Sequence, residues 1–333
     1  MTISTQEKRR RFRALHESGL LILPNPWDIG GAKRLERLGA QAIASSSAAF
    51  AWSNGLEDFE VGRDALLAHL RELAASTDLP LNADFENGFA DKPGQVAENV
   101  RLAIDTGIAG LSIEDRHGDK LYELELAVAR IQAAKQAILD SGEDVLLIGR
   151  SEGMLIDALN LEQTIARLQA FAQAGADVVY APGVRELDDI AHLVQALAPT
   201  PVNVLLIHPG LNVPDLAAIG VRRVSTGSQL ALATWNRFEE ASLQLLEQGH
   251  LPPTQAHRRW SCCKTNRHKK SASNRACAFY TYSQNLVVLS LVAGRVHFGF
   301  LIGFHNSFLG SHPIQGLNLK DLFTTYWFRF AHE

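Results

Sequence analysis

The chain has 333 residues, 46% of them hydrophobic, and a formal net charge of −4. That length accommodates one large α/β barrel or two ordinary domains around a sizeable core. The small net charge excludes a strong general attraction to nucleic acid or to an anionic membrane. All three cysteines, Cys262, Cys263 and Cys277, fall late in the chain, so no disulfide framework is expected before them and a cytoplasmic setting is the default.

The polar N-terminus, Met1 to Arg11, is followed by no apolar run, so no secretory signal is expected. Residues 5–18 read as a helix, with Phe12, Leu15 and His16 at helical spacing. Residues 20–23 form a first strand, closed by Pro24-Asn25-Pro26-Trp27-Asp28. A helix over 32–38 stops at Gly39, and a second strand over 41–44 runs into Ser45-Ser46-Ser47. The alternation continues through helices at 62–76, 95–106, 124–141, 161–174, 186–197, 213–219 and 229–248. Between them lie strands at 79–84, 109–113, 145–150, 177–180, 202–207 and 221–225. The strands are continuous apolar runs, as buried parallel strands are. Eight such units predict a (β/α)8 barrel of the TIM type. A doubly wound sheet is the competing architecture, weakened by the lack of a Gly-x-Gly-x-x-Gly after the first strand.

The double proline Pro252-Pro253 predicts a boundary between a catalytic barrel over 1–253 and an extension over 254–333. From Thr254 onward there are ten Lys and Arg against two Asp and Glu, leaving 22 and 34 for the body. The extension also holds 13 of the 25 aromatic residues, so its composition is that of a different segment. The favoured reading is a translated extension without a selected fold, lacking regular structure. A membrane contact through residues 286–304 is set back by Arg295 and His297 in mid-span. A zinc module on the cysteines lacks Cys-x2-Cys spacing. Arg258, Arg259, Lys269 and Lys270 come with no nucleic-acid recognition motif. Neither a nucleic-acid nor a membrane partner is expected.

Three strands deliver charged groups at their C-terminal ends, where barrels of this kind build active sites. Asp84 and Glu86 follow the third strand, Glu114 the fourth and Arg150 the fifth. Carboxylate oxygens are hard ligands suited to Mg2+ or Mn2+. Arg150 suits bidentate recognition of a carboxylate or phosphonate, with an ion pair to Glu114 or Glu152 as the plainer role. The serines ending the second strand offer hydroxyls and backbone N–H groups to an anion. Asp28 and Asp58 are further acids on neighbouring loops, and each alone reads as a cap or turn residue.

Taken in order, Pro24-Asn25-Pro26-Trp27-Asp28, Ser45-Ser46-Ser47-Ala48, Asp84-Phe85-Glu86-Asn87-Gly88, Ile113-Glu114-Asp115 and Gly149-Arg150-Ser151-Glu152 resemble the isocitrate lyase and phosphoenolpyruvate mutase superfamily over about residues 10 to 250. The bacterial branch labelled phosphonomutase-like is the most similar. The resemblance implies a barrel that assembles as a homo-oligomer, usually a tetramer, with the last helix often exchanged between subunits. It implies Mg2+ near Asp84, Glu86 and Glu114, partly through water, with Asp58 close by among the substrate-binding residues. It implies that Ser46 and Ser47 contact the anionic end of the substrate, a small keto acid or phosphonate, and that Arg150 binds it. Members cleave or form C–C or P–C bonds beside a keto acid. Where the lyase branch carries a cysteine loop, this chain has Asp115-Arg116-His117-Gly118-Asp119-Lys120, so thiol-dependent isocitrate lyase chemistry is not expected. His117 or Lys120 is the candidate for proton transfer if that loop closes. The alternative is a non-catalytic relative that binds a small anionic metabolite.

Overall fold

Most barrel strands are short and largely apolar, and most of the helices that follow hide one stripe against them. The computed structural model describes residues 3–253 and the backbone of three later strands. The barrel strands are β1 (Leu21–Leu23), β2 (Ile43–Ala44), β3 (Leu81–Asp84), β4 (Gly110–Glu114), β5 (Leu146–Arg150), β6 (Val178–Tyr180), β7 (Val202–Leu205) and β8 (Arg223–Ser225). All pair in parallel, in the order β1-β8-β7-β6-β5-β4-β3-β2. Cyclic order is what a (β/α)8 barrel requires. β1 and β2 meet where the backbone N–H of Ala44 donates to the carbonyl of Pro24 (3.1 Å) and Asn25 Nδ2 donates to the carbonyl of Ser45 (2.7 Å).

The helices are α1 (Thr5–Ala14), α2 (Ile29–Leu38), α3 (Ser47–Ser53), α4 (Arg63–Ser76), α5 (Pro93–Ile104), α6 (Leu124–Ser141), α7 (Leu161–Gln173), α8 (Leu187–Leu197), α9 (Val213–Ala218) and α10 (Gln229–Gln248). Their ends follow local chemistry. Asp28 caps α2 through Gly31, Asn160 and Gln163 form a capping box on α7, and Gly39 ends α2 in the left-handed conformation. Two elements depart from the sequence reading. The serine loop continues into α3, and the loop after β4 contains a small hairpin pairing Arg116–His117 with Lys120–Leu121.

The core has two parts. One lies between the sheet and its helices, the other inside the barrel around Leu21, Leu23, Ala44, Leu146 and Ile148. α1 closes the barrel's N-terminal end with Phe12, which is fully buried. A Cβ on Gly110 would sit 2.7 Å from the Phe12 ring and 2.9 Å from Asn82 Oδ1, so only glycine admits this plug. Alternation along β5 places Leu146, Ile148 and Arg150 in one inward-facing row, which carries Arg150 to the opposite rim.

The chain divides into two units, Met1–Pro253 and Thr254–Glu333. In the second, Cys277–Ser283, Leu286–Ala293 and Val296–Ile302 form a three-stranded antiparallel sheet. Within the apolar run 286–304, Leu286–Ala293 and Val296–Ile302 are thus antiparallel strands, and the other residues of the run lie outside the described ones. Among the described residues no helix is long and apolar enough to cross a membrane. Cys262, Cys263 and the basic residues Arg258, Arg259, Lys269 and Lys270 lie outside the described residues.

Candidate active site

The register builds the site. Glu114 is the partner of Arg150 across β4 and β5, and Arg150 is the partner of Tyr180 across β5 and β6. Arg150 Nη1 forms an ion pair with Glu114 Oε1 at 2.8 Å and donates to Asp84 Oδ1 at 3.3 Å, and Nε donates to Glu152 Oε1 at 2.6 Å. Its guanidinium lies 5.2 Å from the centre of the Tyr180 ring. One cation is held by three acids and an aromatic face, which fixes the fork's orientation. Arg150, Asp84 and Glu114 therefore converge at one rim, as residues 66 and 36 positions apart must do if they share a site.

Asp84 is held from the β2 side. Its Oδ2 accepts from the backbone N–H of Ser47 (3.0 Å) and from Ser47 Oγ (2.9 Å), and its own N–H donates to Ser45 Oγ (2.8 Å). Ser46 caps α3 by accepting from the Ala49 N–H. The serines expected to grip an anion thus have protein partners: Ser45 and Ser47 orient Asp84, and Ser46 starts the helix.

The remaining acids are poorly compensated. Glu86 is buried in a left-handed backbone conformation, φ 45°, that costs a non-glycine residue strain. Its Oε1 is buried without a hydrogen-bond partner, and so is Glu114 Oε2. Burial, then Asp84 and Asp58, push the Glu86 carboxyl up to about 8. Burial raises Glu114 well above the carboxylate range, against the pull of Arg150 and with the help of Glu152, Asp84 and Asp58. Asp58 keeps an open edge at the mouth, yet the crowding loops and then Asp84 raise it to about 6. Four carboxylates focused on one place, oxygen donors throughout, fit a hard divalent cation. Among the described residues no three acid, histidine or cysteine side chains form a ready-made direct ligand cluster.

His117 and Lys120 sit on the hairpin after β4. His117 Nδ1 is 2.9 Å from Asp91 Oδ1 and 3.5 Å from the Tyr122 hydroxyl, which itself donates to Asp91 at 2.6 Å. His117 is therefore turned toward the β3–α5 loop, and Lys120 is exposed. The hairpin residue that reaches the acid cluster is one the sequence reading passed over. Arg116 Nη1 lies 3.9 Å from Glu152 Oε2, and its guanidinium is 5.1 Å from the centre of the Phe59 ring. Its position beside a motif glutamate-aspartate pair was the available signal. Glu152 thus bridges two arginines, one on each carboxylate oxygen. Asp115 backs this end of β4, accepting from Arg167 and from the Glu152 N–H.

A family profile described as phosphoenolpyruvate phosphomutase matches residues 12–246. The chain belongs to the phosphoenolpyruvate phosphomutase family. Within the wider isocitrate lyase and phosphoenolpyruvate mutase superfamily, a Burkholderia cenocepacia protein provisionally classed as a lyase/mutase has a solved structure that superposes with a TM-score of 0.72. The two are 42% identical, over 74% of this chain and 91% of that one. The uncharacterized protein Rv1998c of Mycobacterium tuberculosis is 34% identical over 65% of this chain and 81% of its own length. The 2-methylisocitrate lyase of Escherichia coli is 32% identical over 56% and 65%. The oxaloacetate decarboxylase of Paraburkholderia xenovorans is 26% identical over 74% and 86%. Membership in the phosphoenolpyruvate phosphomutase family sets this chain among lyases and mutases of keto acids.

Proposed function

We propose that the chain is a divalent-metal-dependent enzyme that cleaves or forms a C–C or P–C bond beside the carbonyl of a small keto acid. The observation that carries this reading is the group of acids at the C-terminal rim, with buried oxygens on Glu86 and Glu114 that no protein donor meets. Asp84, Glu86 and Glu114 would hold Mg2+ or Mn2+, with water completing the shell, since Mg2+ commonly keeps several waters. Bound there, the cation would supply electrophilic stabilisation of the enolate that bond cleavage leaves. Arg150, oriented by Glu114 and Glu152, offers fixed positive charge to the substrate carboxylate. Ser45 and Ser47 keep Asp84 aimed at the centre. Proton transfer by His117 or Lys120 is part of the proposal, and it requires His117 to leave Asp91. Named activities of the relatives, 2-methylisocitrate cleavage and oxaloacetate decarboxylation, both leave an enolate-type fragment and support this chemistry. A homo-oligomer in the cytoplasm completes the reading.

The test joins binding to turnover. Wild type should melt higher with Mg2+ and oxalate together, because a ligand that binds only the folded state stabilises it. It should also turn over one member of a panel of oxaloacetate, phosphonopyruvate and 2-methylisocitrate, read by product mass. Asp84→Ala should lose both responses. Unchanged activity and metal response in that variant would remove the metal assignment, and binding without turnover of any panel member would favour a non-catalytic relative.

A further inference from the structure

Arg116 has free donors beside a crowded acid site. Its guanidinium makes one hydrogen bond among the described residues, from Nε to the carbonyl of Gly118. Its terminal nitrogens make none, since Glu152 Oε2 at 3.9 Å is an ion-pair distance and not a hydrogen bond. The side chain keeps about a quarter of its surface open, 24%, whereas Arg150 keeps 16% and has its Nε and Nη1 committed to Glu152, Glu114 and Asp84. Two further contacts hold the Arg116 plane at the rim. The hairpin turn fixes Nε, and the Phe59 ring lies against the guanidinium. Phe59 itself is in a left-handed conformation, φ 68°, behind Asp58, whose carboxylate accepts from the Phe59 N–H. A strained loop thus presents an aromatic face to one arginine.

We propose that Arg116 determines specificity by binding a second carboxylate on the substrate, at the opposite end from the keto-acid group. This rests on the keto-acid reading above and adds the residue that would select for a distal carboxylate. The physical need is plain. A substrate with a distal negative charge approaches Asp58 and Asp84, with Glu86, Glu114 and Glu152 buried behind them. Arg150 is occupied at the floor, so the distal group needs its own cation. Arg116 presents two nitrogens in the planar arrangement that matches a carboxylate. Glu152 lies between the two guanidiniums, accepting from Arg150 Nε and standing 3.9 Å from Arg116 Nη1.

Lactate and malate share a 2-hydroxy-acid head and differ by the distal carboxylate, and both are stable in solution. Calorimetry with Mg2+ would compare oxalate, both lactate enantiomers and both malate enantiomers on wild type, Arg116→Gln and Arg116→Lys. Wild type should bind one malate enantiomer at least tenfold tighter than the matching lactate. Arg116→Gln should erase that preference while binding oxalate and lactate as wild type does, and Arg116→Lys should retain part of it. Phe59→Leu, which leaves the cation in place, should weaken malate by less than Arg116→Gln does. A merely structural Arg116 would shift all ligands together or the melting temperature alone. The proposal is overturned if wild type takes malate no better than lactate, or if the preference survives in Arg116→Gln. Failure of oxalate to bind wild type would instead sink the keto-acid reading, and this inference with it.

Discussion

Arg150 stands between Glu114 and Glu152, which keep 2% and 1% of their side-chain surface. Removing a cation from such an arrangement leaves charge buried without compensation. Arg150→Gln should therefore cost on the order of 3–5 kcal/mol in urea unfolding, the range for breaking a buried pair from one side. Adding Glu152→Gln should recover at least about 1 kcal/mol of that loss, because the charge that Arg150 Nε meets is then absent. Simple additivity in this double-mutant cycle would show that the two groups are not coupled. The same residue illustrates what the chain's order reveals. An arginine after an apolar strand can be placed at a barrel mouth from sequence. Whether its partner is a substrate or Glu152 depends on side-chain directions that spacing does not fix.

At the level of elements, most strands were legible because both of their faces are buried, which writes them as largely apolar runs; β1, with Ile22 half exposed, is an exception. Observed limits fall within about two residues of the expected ones, as for β3 at Leu81–Asp84 against 79–84. α3 escaped because Ser47–Ser53 is only seven residues, too short to show a period, and it starts inside a serine run that reads as loop. The hairpin escaped because its paired segments hold two residues each within a charged stretch. α1 was legible as a helix, but its role as a plug needed the fold. That role makes a pH prediction. His16, just past α1, is packed edge-on against Phe12 at 4.7 Å between ring centres. Its Nδ1 donates to the Phe12 carbonyl at 2.8 Å, and Nε2 is buried without a partner. Burial first, then Arg223, lowers His16 to about 4, with Arg13 adding and the Phe12 carbonyl and Asp177 opposing. Between pH 4 and about 6.5 the unfolded chain binds the extra proton, so stability rises with pH there. The contribution is complete above about 6.5 and is lost as pH falls toward 4, by up to about 3 kcal/mol. Urea unfolding at pH 7 and pH 4.5 should differ less in His16→Leu than in wild type. An equal difference would show that His16 does not titrate in this window.

For the whole molecule the informative element is α10, the last helix of the barrel unit. Of its twenty residues only Ala231 is buried, although Phe238, Leu243, Leu245 and Leu246 are large and apolar. Phe238 keeps 67% and Leu246 82% of their surface. Trp235 ties the helix's first half to the rim through Trp27 and Trp52, at 5.7 and 6.0 Å between ring centres. The second half projects with its apolar residues uncovered. A helix of that length gains its stability mainly from covering such a face. The expected cover is a second copy of this chain, so the full-length protein should scatter light as a dimer or larger. Charging the face with Phe238→Glu and Leu246→Glu should shift it to monomer and lower the melting temperature. Ending the chain at Pro253 should leave both the assembly and the melting temperature unchanged, since the exposed face lies wholly before that residue. If wild type is monomeric at micromolar concentration, α10 is covered by something other than a second copy. If truncation alone dissociates the assembly, the contacts that hold it lie beyond Pro253.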